Sequence, residues 1–322
     1  MSADRPKVVI TGRVPQPAVD VLTEHADVWM NTDDQMSRAE LLTAVAGADA
    51  ILSLLTASVD AELLHAAGPQ LRVVSNVAVG YNNIDVPACK AAGVIATNTP
   101  GVLTDATADI AMALVLMATR GLGASERAVR SGTPWKWGMF EFLGAGIQGS
   151  RLGIIGMGQI GVALARRAKA HGMTIAYANR SDADSNIVAE LGAVRVSIDE
   201  LLRTSDVVSL HCPYGPQTHH LIDADALANM KPTAFLINTA RGPVVDEAAL
   251  VTALKSGRIA GAGLDVYERE PELAAGLIDL ENVVLLPHVG SATIETRTAM
   301  ATLAARNAVA VLNGQPAITP IT

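Results

Sequence analysis

Gly153-Ile154-Ile155-Gly156-Met157-Gly158-Gln159-Ile160-Gly161-Val162-Ala163-Leu164-Ala165-Arg166-Arg167-Ala168 reads as an apolar strand, a tight glycine turn and a helix. The glycines follow the pattern G-x-G-x-x-G. Gly156 permits the turn, Gly158 lets the backbone approach a pyrophosphate, and Gly161 lets the helix pack close to the strand. The amides of the helix N-terminus face the anion. A dinucleotide is the implied ligand, with Gly156, Met157, Gly158, Gln159, Ile160 and Gly161 as its binding turn. Spacing alone carries little weight, because Gly144-Ala145-Gly146-Ile147-Gln148-Gly149 fits the same pattern just upstream. A strand-like run follows that copy where a helix is required, so it reads as a flexible approach loop.

Downstream of Arg151 the alternation is regular. Strands are predicted near 152–156, 174–178, 206–211, 234–239, 261–266 and 283–287, with helices between most of them, which is a six-strand doubly wound unit. Upstream, Val8 to Ile10 opens a buried strand, and helical patterns at 17–25 and 38–46 precede the apolar run Ala50 to Leu55, a β-α-α-β order. Further strands at 73–77 and 94–97 flank a glycine-punctuated loop and a helix near 86–92. The first hundred residues thus form an α/β domain of their own, without a glycine fingerprint. Thr104 to Arg130 reads as one long apolar helix, buried between domains or subunits. The alanine-rich helix from Ile294 to Asn313 fits a return to the first domain.

The composition excludes several functions. The 322 residues suffice for two domains with real cores. Half of the residues are hydrophobic but only 3 % are aromatic, and the net charge is −8 with a pI near 5.4. That balance argues against a nucleic-acid surface and for small-molecule partners. Cys89 and Cys212 lack metal spacing and fit a reducing cytosol. The polar start and the short apolar runs suggest neither a signal peptide nor a membrane span, so a cytoplasmic enzyme is expected. Trp135, Trp137, Phe140 and Phe142 cluster in one loop, either as an interface or as a loop stapled onto its own domain.

The second strand of the nucleotide unit should end about 20 residues after the fingerprint, where an acid would bond the ribose of NAD. The residues there are Ala178-Asn179-Arg180-Ser181. Arg180 and Ser181 suit a 2′-phosphate, which favours NADP(H); alternatively Asp182 takes the acidic role one turn late and NAD(H) binds. Three late strands deliver polar residues to their carboxyl ends: 234–240 runs into Arg241, 263–267 toward Glu270, and 283–287 into His288. Singly, each has an ordinary structural explanation. Together, at matching strand ends, they form an acid–base set in which Arg241 fixes a carboxylate, His288 moves a proton and Glu270 holds the imidazole.

These motifs carry a resemblance. Gly156–Gly161, Asn238-Thr239-Ala240-Arg241-Gly242-Pro243-Val244-Val245-Asp246-Glu247, Gly263-Leu264-Asp265-Val266-Tyr267-Glu268-Arg269-Glu270-Pro271 and Pro287-His288-Val289-Gly290-Ser291-Ala292-Thr293 resemble the D-2-hydroxyacid dehydrogenase family over essentially the whole chain. Asn76-Val77-Ala78-Val79-Gly80-Tyr81-Asn82-Asn83-Ile84-Asp85 with Arg180-Ser181 is similar to its glyoxylate/hydroxypyruvate reductases. The resemblance implies two doubly wound domains. A Rossmann NAD(P)-binding domain, 100–288, is inserted into a flavodoxin-like substrate-binding domain, 1–99 and 289–322.

It also implies roles. Arg241, Glu270 and His288 match the catalytic triad. Leu55, Val79 and Gly80, with Arg241 and His288, match substrate-binding positions. Thr104, Asn179, Arg180, Ser181, Cys212, Pro213, Thr218, Thr239, Ala240, Arg241, Asp265 and His288 match cofactor-contacting positions, with Asp265 bonding the nicotinamide carboxamide. A homodimer is expected, as is NADPH-dependent reduction of a small 2-oxo acid to the 2-hydroxy acid with His288 as proton donor. The alternatives within the family are a 2-ketogluconate reductase, a phosphite dehydrogenase, disfavoured by the uncharged Val77–Gly80 loop, and a phosphoglycerate dehydrogenase. Outside enzymes, a nucleotide-sensing corepressor shares the fold.

Overall fold

The computed structural model describes residues 5–33 and 36–322. They form two compact units, one of residues 5–33, 36–103 and 292–322 and the other of 104–291. In chain order the first unit contains β1 (Lys7–Ile10), α1 (Gln16–Thr23), β2 (Asp27–Met30), α2 (Arg38–Val45), β3 (Ala50–Ser53), α3 (Ala61–Ala67), β4 (Val73–Asn76), α4 (Val86–Ala91) and β5 (Ile95–Thr97). The second unit begins with α5 (Thr104–Arg120), α6 (Leu122–Arg130), β6 (Arg151–Ile155), α7 (Gln159–Ala170), β7 (Thr174–Ala178), α8 (Ser185–Leu191) and β8 (Val194–Arg195). It continues through α9 (Ile198–Thr204), β9 (Val207–Leu210), α10 (Ala224–Asn229), β10 (Phe235–Asn238), α11 (Glu247–Lys255), β11 (Gly261–Leu264) and β12 (Val283–Leu285), and α12 (Ile294–Leu312) closes the first unit.

The first unit is a parallel sheet of order β2-β1-β3-β4-β5. β1, β3 and β4 are almost wholly buried, as expected of strands covered on both faces. On one face α12 lays Ala301, Ala304, Ala305 and Ala308 against Val8, Ile10 and Leu52. Ser75 Oγ donates to the Ala304 carbonyl at 2.7 Å, so this buried hydroxyl is satisfied.

The expected β-α-α-β opening is corrected. Asp27–Met30 forms an edge strand parallel to β1, with its outer residues exposed, so no apolar run announces it. α3 is likewise added, capped by Asp60, whose side chain accepts from the Leu63 amide.

The second unit is a parallel sheet of order β12-β11-β10-β9-β6-β7-β8. The order reverses at β6, between β9 and β7, which is the switch point where doubly wound sheets bind ligands. The sheet has seven strands rather than the six expected, because the two exposed residues of β8 pair with β7, Val194 with Ala176 and Arg195 with Tyr177.

The long helix is also corrected. It breaks at Gly121, which adopts a left-handed φ of 59°, and α5 and α6 diverge by 71°. α5 buries Ala108, Ala111, Leu114 and Val115 in the core of its own unit, whereas α6 buries none of its residues.

The loop 144–149 is not a loose approach segment. A Cβ on Gly144 would lie 2.6 Å from the Arg120 Cα, Ala145 N–H donates to the Thr119 carbonyl at 2.8 Å, and Ile147 is buried. Nor is the aromatic loop stapled onto its unit, since Trp137 is 91 % and Phe140 84 % exposed. Among the described residues no single helix is long and apolar enough to cross a membrane.

Candidate active site

The second unit gathers its polar residues at the carboxyl ends of its strands. At the end of β6 each fingerprint glycine has a distinct geometry. Gly156 has φ 100°, and a Cβ there would lie 2.6 Å from the Cys212 nitrogen; a Cβ on Gly161 would meet the Gly156 carbonyl oxygen at 2.4 Å. The turn and helix could not otherwise approach. At Gly158 a Cβ would meet nothing within 4 Å, and as N-cap of α7 this residue offers no side-chain hydrogen bond to the first-turn amides. Those amides are orphan donors of the kind that hold an anion. Met157 N–H is already committed, donating to Asn179 Oδ1 at 2.6 Å and tying the turn to the end of β7.

Beyond β7, Arg180 and Ser181 are exposed, and no carboxylate occupies the strand end. Asp182 is ion-paired with Arg195. Beyond β9, burial pushes the Cys212 thiol up to about 11 and the His211 imidazole down to about 4. Thr218 Oγ donates to the Pro213 carbonyl at 2.8 Å and accepts from Gly215 N–H at 2.9 Å, closing its own loop. Thr104 Oγ meets the Gln159 side chain at 3.4 Å. The Thr239 hydroxyl, buried at the end of β10, has no hydrogen-bond partner among the described residues.

The three acid–base residues come together through backbone constraints. Asn238 Oδ1 accepts from Ala240 N–H and its Nδ2 donates to the Arg241 carbonyl, both at 3.0 Å, so the turn bearing Arg241 is clamped by one buried amide side chain. Gly242 follows, and a Cβ there would sit 1.8 Å from the Tyr267 carbonyl carbon, so this turn lies directly against the loop that carries Glu270. That loop is pinned twice: Tyr267 N–H donates to Glu270 Oε1 at 2.9 Å, and Glu268 N–H to Glu247 Oε1 at 2.7 Å.

His288 Nδ1 and Glu270 Oε2 lie 2.7 Å apart. His288 adopts φ 53°, a left-handed conformation costly for a non-glycine residue. Buried Asp265 holds it there, one oxygen accepting from Val289 N–H and the other from Gly290 N–H, each at 2.7 Å.

Electrostatics separates the two carboxylates. Burial alone would raise the Glu270 pKa, but hydrogen bonds from His288 and the Tyr267 amide, with the charges of His288 and Arg241, outweigh it and hold the carboxyl below its ordinary value. At Asp265 burial prevails over the two amides and raises the pKa. Burial also lowers the Arg241 pKa, with Glu270 opposing.

The first unit presents Leu55 beyond β3 and Val79-Gly80 beyond β4. Asn98 Nδ2 donates to the Val79 carbonyl at 2.8 Å and Asn76 Nδ2 to the Gly80 carbonyl at 2.9 Å, fixing the orientation of both peptides. Asn83 in turn donates to the Leu54 and Ala57 carbonyls, joining the β3 and β4 loops. These asparagines, with Asn238 and Gly242, were not assigned roles from the sequence. For Asn76 and Asn238 the signal is an asparagine closing a strand, as in Ser75-Asn76 and Ile237-Asn238.

A sequence profile described as D-isomer specific 2-hydroxyacid dehydrogenase, NAD binding domain, matches residues 112–290. The chain belongs to this family. Glyoxylate reductase from Thermococcus onnurineus is 47 % identical over 317 residues, covering 97 % of this chain and 94 % of the relative. A crystal structure of a glyoxylate reductase from Paecilomyes thermophila superposes with a TM-score of 0.90 at 34 % identity, covering 99 % of each chain. That of the NADPH-dependent glyoxylate/hydroxypyruvate reductase from Sinorhizobium meliloti, in complex with NADP and malonate, gives 0.84 at 33 % identity, covering 99 % of this chain and 97 % of the other.

The protein is therefore an NAD(P)-dependent oxidoreductase of the 2-hydroxyacid dehydrogenase family, with a Rossmann unit. The residues present fit the dinucleotide. The open position at Gly158, between two glycines that the fold itself requires, and the unpartnered Thr239 hydroxyl are both features that a ligand at these strand ends explains.

Proposed function

We propose that the protein is an NADPH-preferring reductase of small 2-oxo acids, glyoxylate and hydroxypyruvate foremost, giving the 2-hydroxy acids. The observation that carries this reading is the 2.7 Å contact between His288 Nδ1 and Glu270 Oε2. With Nδ1 committed to a carboxylate, Nε2 is the nitrogen that donates a proton, and Glu270 stabilises the charged ring that precedes the donation. Bound NADPH supplies the hydride that adds to C2.

Arg241 binds the substrate carboxylate and stabilises charge developing on the carbonyl oxygen. The amides of Val79 and Gly80 bind the same carboxylate, and Leu55 lines the pocket; Thr99 N–H, donating to the Ala78 carbonyl, orients the Val79 amide, and Asn98, donating to the Val79 carbonyl, orients that of Gly80. The first-turn amides of α7 hold the pyrophosphate, and Arg180 with Ser181 takes the 2′-phosphate. Thr104, Cys212, Pro213, Thr218, Thr239 and Ala240 contact the cofactor. Asp265, whose oxygens each accept one amide already, retains lone pairs for the nicotinamide carboxamide. On this reading 100–288 is the cofactor domain, and 1–99 with 289–322 the substrate domain.

The relatives named glyoxylate reductase and the NADPH-dependent structural neighbour support the substrate class and cofactor. The exposed Trp137, Phe140 and Leu143, beside a helix with no buried residue, support a homodimer formed through α6 and the following loop. The two free thiols, Cys89 and Cys212, support a reducing cytoplasmic location.

The test is a steady-state matrix of glyoxylate, hydroxypyruvate and pyruvate against NADPH and NADH. A higher kcat/KM with NADPH on glyoxylate or hydroxypyruvate is expected. A higher value with NADH throughout, or no turnover of any 2-oxo acid, would overturn the proposal.

A further inference from the structure

We infer that Arg195, on the two-residue strand β8, is a positioning residue for cofactor specificity. It orders the loop that takes the adenosine 2′-phosphate and neutralises Asp182 beside it. This rests on the NADPH reading above.

β8 seats Arg195 opposite Tyr177 of β7, and Val196 N–H extends the pairing to the Tyr177 carbonyl at 3.0 Å. From there Arg195 Nη2 donates to the Asn179 carbonyl at 2.9 Å and the Arg180 carbonyl at 3.3 Å, while Nη1 pairs with Asp182. One guanidinium thus grips three points of the Asn179–Asp182 turn. The fourth anchor is Asn179 itself, through the Met157 amide.

The planar fork suits this task. Two carbonyls and a carboxylate are reached at once, which a lysine ammonium on a flexible stem would not hold in one geometry. The charge matters as much as the shape. With Arg195 in place, Asp182 is ion-paired and leaves the Arg180 charge uncancelled in the turn, while Asp184, the next carboxylate along, is engaged by the Asn186 and Ile187 amides at the start of α8. Without it, Asp182 cancels Arg180, and a 2′-phosphate meets a neutral, loosened turn. A ribose 2′-hydroxyl carries no charge and is indifferent to that change, so Arg195 sets discrimination rather than dinucleotide affinity as such.

Calorimetric titration with 2′,5′-ADP and 5′-AMP isolates the 2′-phosphate without turnover. In the unaltered enzyme, tighter binding of 2′,5′-ADP tests the NADPH reading on its own, and equal binding would overturn that reading. Given tighter binding, Arg195→Gln should weaken 2′,5′-ADP about tenfold and leave 5′-AMP within about twofold. Arg195→Lys should recover part of the loss, and Asp182→Asn in the Arg195→Gln background a further part, because the uncompensated carboxylate is gone. Equal losses for both ligands, or none, would overturn the inference, as would a double variant no better than Arg195→Gln alone. Thermal denaturation of each variant separates these outcomes from unfolding.

Discussion

A Cβ added to Gly242 would lie 1.8 Å from the carbonyl carbon of Tyr267. The neighbour is backbone and cannot rotate away, so this glycine sets the distance between the Arg241 turn and the Glu270 loop. Gly242→Ala should cost about 1–3 kcal/mol of stability through overpacking. It should also lower kcat/KM by far more than a stability loss of that size explains, because Arg241 and Glu270 move apart. Chemical denaturation and steady-state kinetics on the same preparation check this.

The fingerprint glycines should respond differently. Gly158 has φ −84° and open space around it, whereas Gly161 lies against the Gly156 carbonyl. Gly158→Ala is expected to leave the melting temperature nearly unchanged while weakening NADPH binding at least tenfold, since its methyl enters space proposed for the pyrophosphate. Gly161→Ala should lower both. Differential scanning fluorimetry with and without NADPH reads both effects.

Asp265 is expected to matter through His288. Its two oxygens hold the Val289 and Gly290 amides and so fix the left-handed backbone at His288. Asp265→Ala leaves the buried Gly290 amide unsatisfied, at roughly 1–3 kcal/mol, frees the half-buried Val289 amide, and should release the imidazole from its geometry. A fall in kcat larger than the rise in the glyoxylate KM is the expected kinetic result.

The pH dependence follows from Glu270. Its carboxyl is held below the ordinary value of 4.5, so the native state binds this proton more weakly than the unfolded chain. The stabilisation is fully present above about pH 4.5 and is lost as pH falls through the lower native value. Urea denaturation should therefore show wild type more stable than Glu270→Gln near neutrality, with the gap narrowing below pH 4.5. Asp265, raised by burial with the Glu270 charge adding to the rise, works in the opposite direction, and Glu270→Gln removes only the Glu270 part of it.

Much of this was legible in the sequence where a residue's environment is set by its near neighbours. Arg241 and His288 announce themselves by ending apolar runs, and the G-x-G-x-x-G turn by lying between a strand and a helix. Edge strands were not legible. Asp27–Met30 is half-exposed and β8 has only two residues, so neither produces an apolar run, and both form only because a neighbouring strand offers unpaired backbone. The break at Gly121 was hidden because a glycine within a long helical pattern is tolerated as often as it bends the chain. Asn98, Gly242 and Arg195 act on backbone atoms far along the chain, which no local pattern records.

Central to the proposal is proton donation by His288 Nε2, with Nδ1 fixed by Glu270. Single-turnover reduction of glyoxylate by NADPH, followed in His288→Ala with NADPH binding measured in parallel, tests it most directly. The rate should fall about 10²–10⁴-fold with the NADPH dissociation constant within a few-fold of wild type. An unchanged rate at saturating substrates would contradict it.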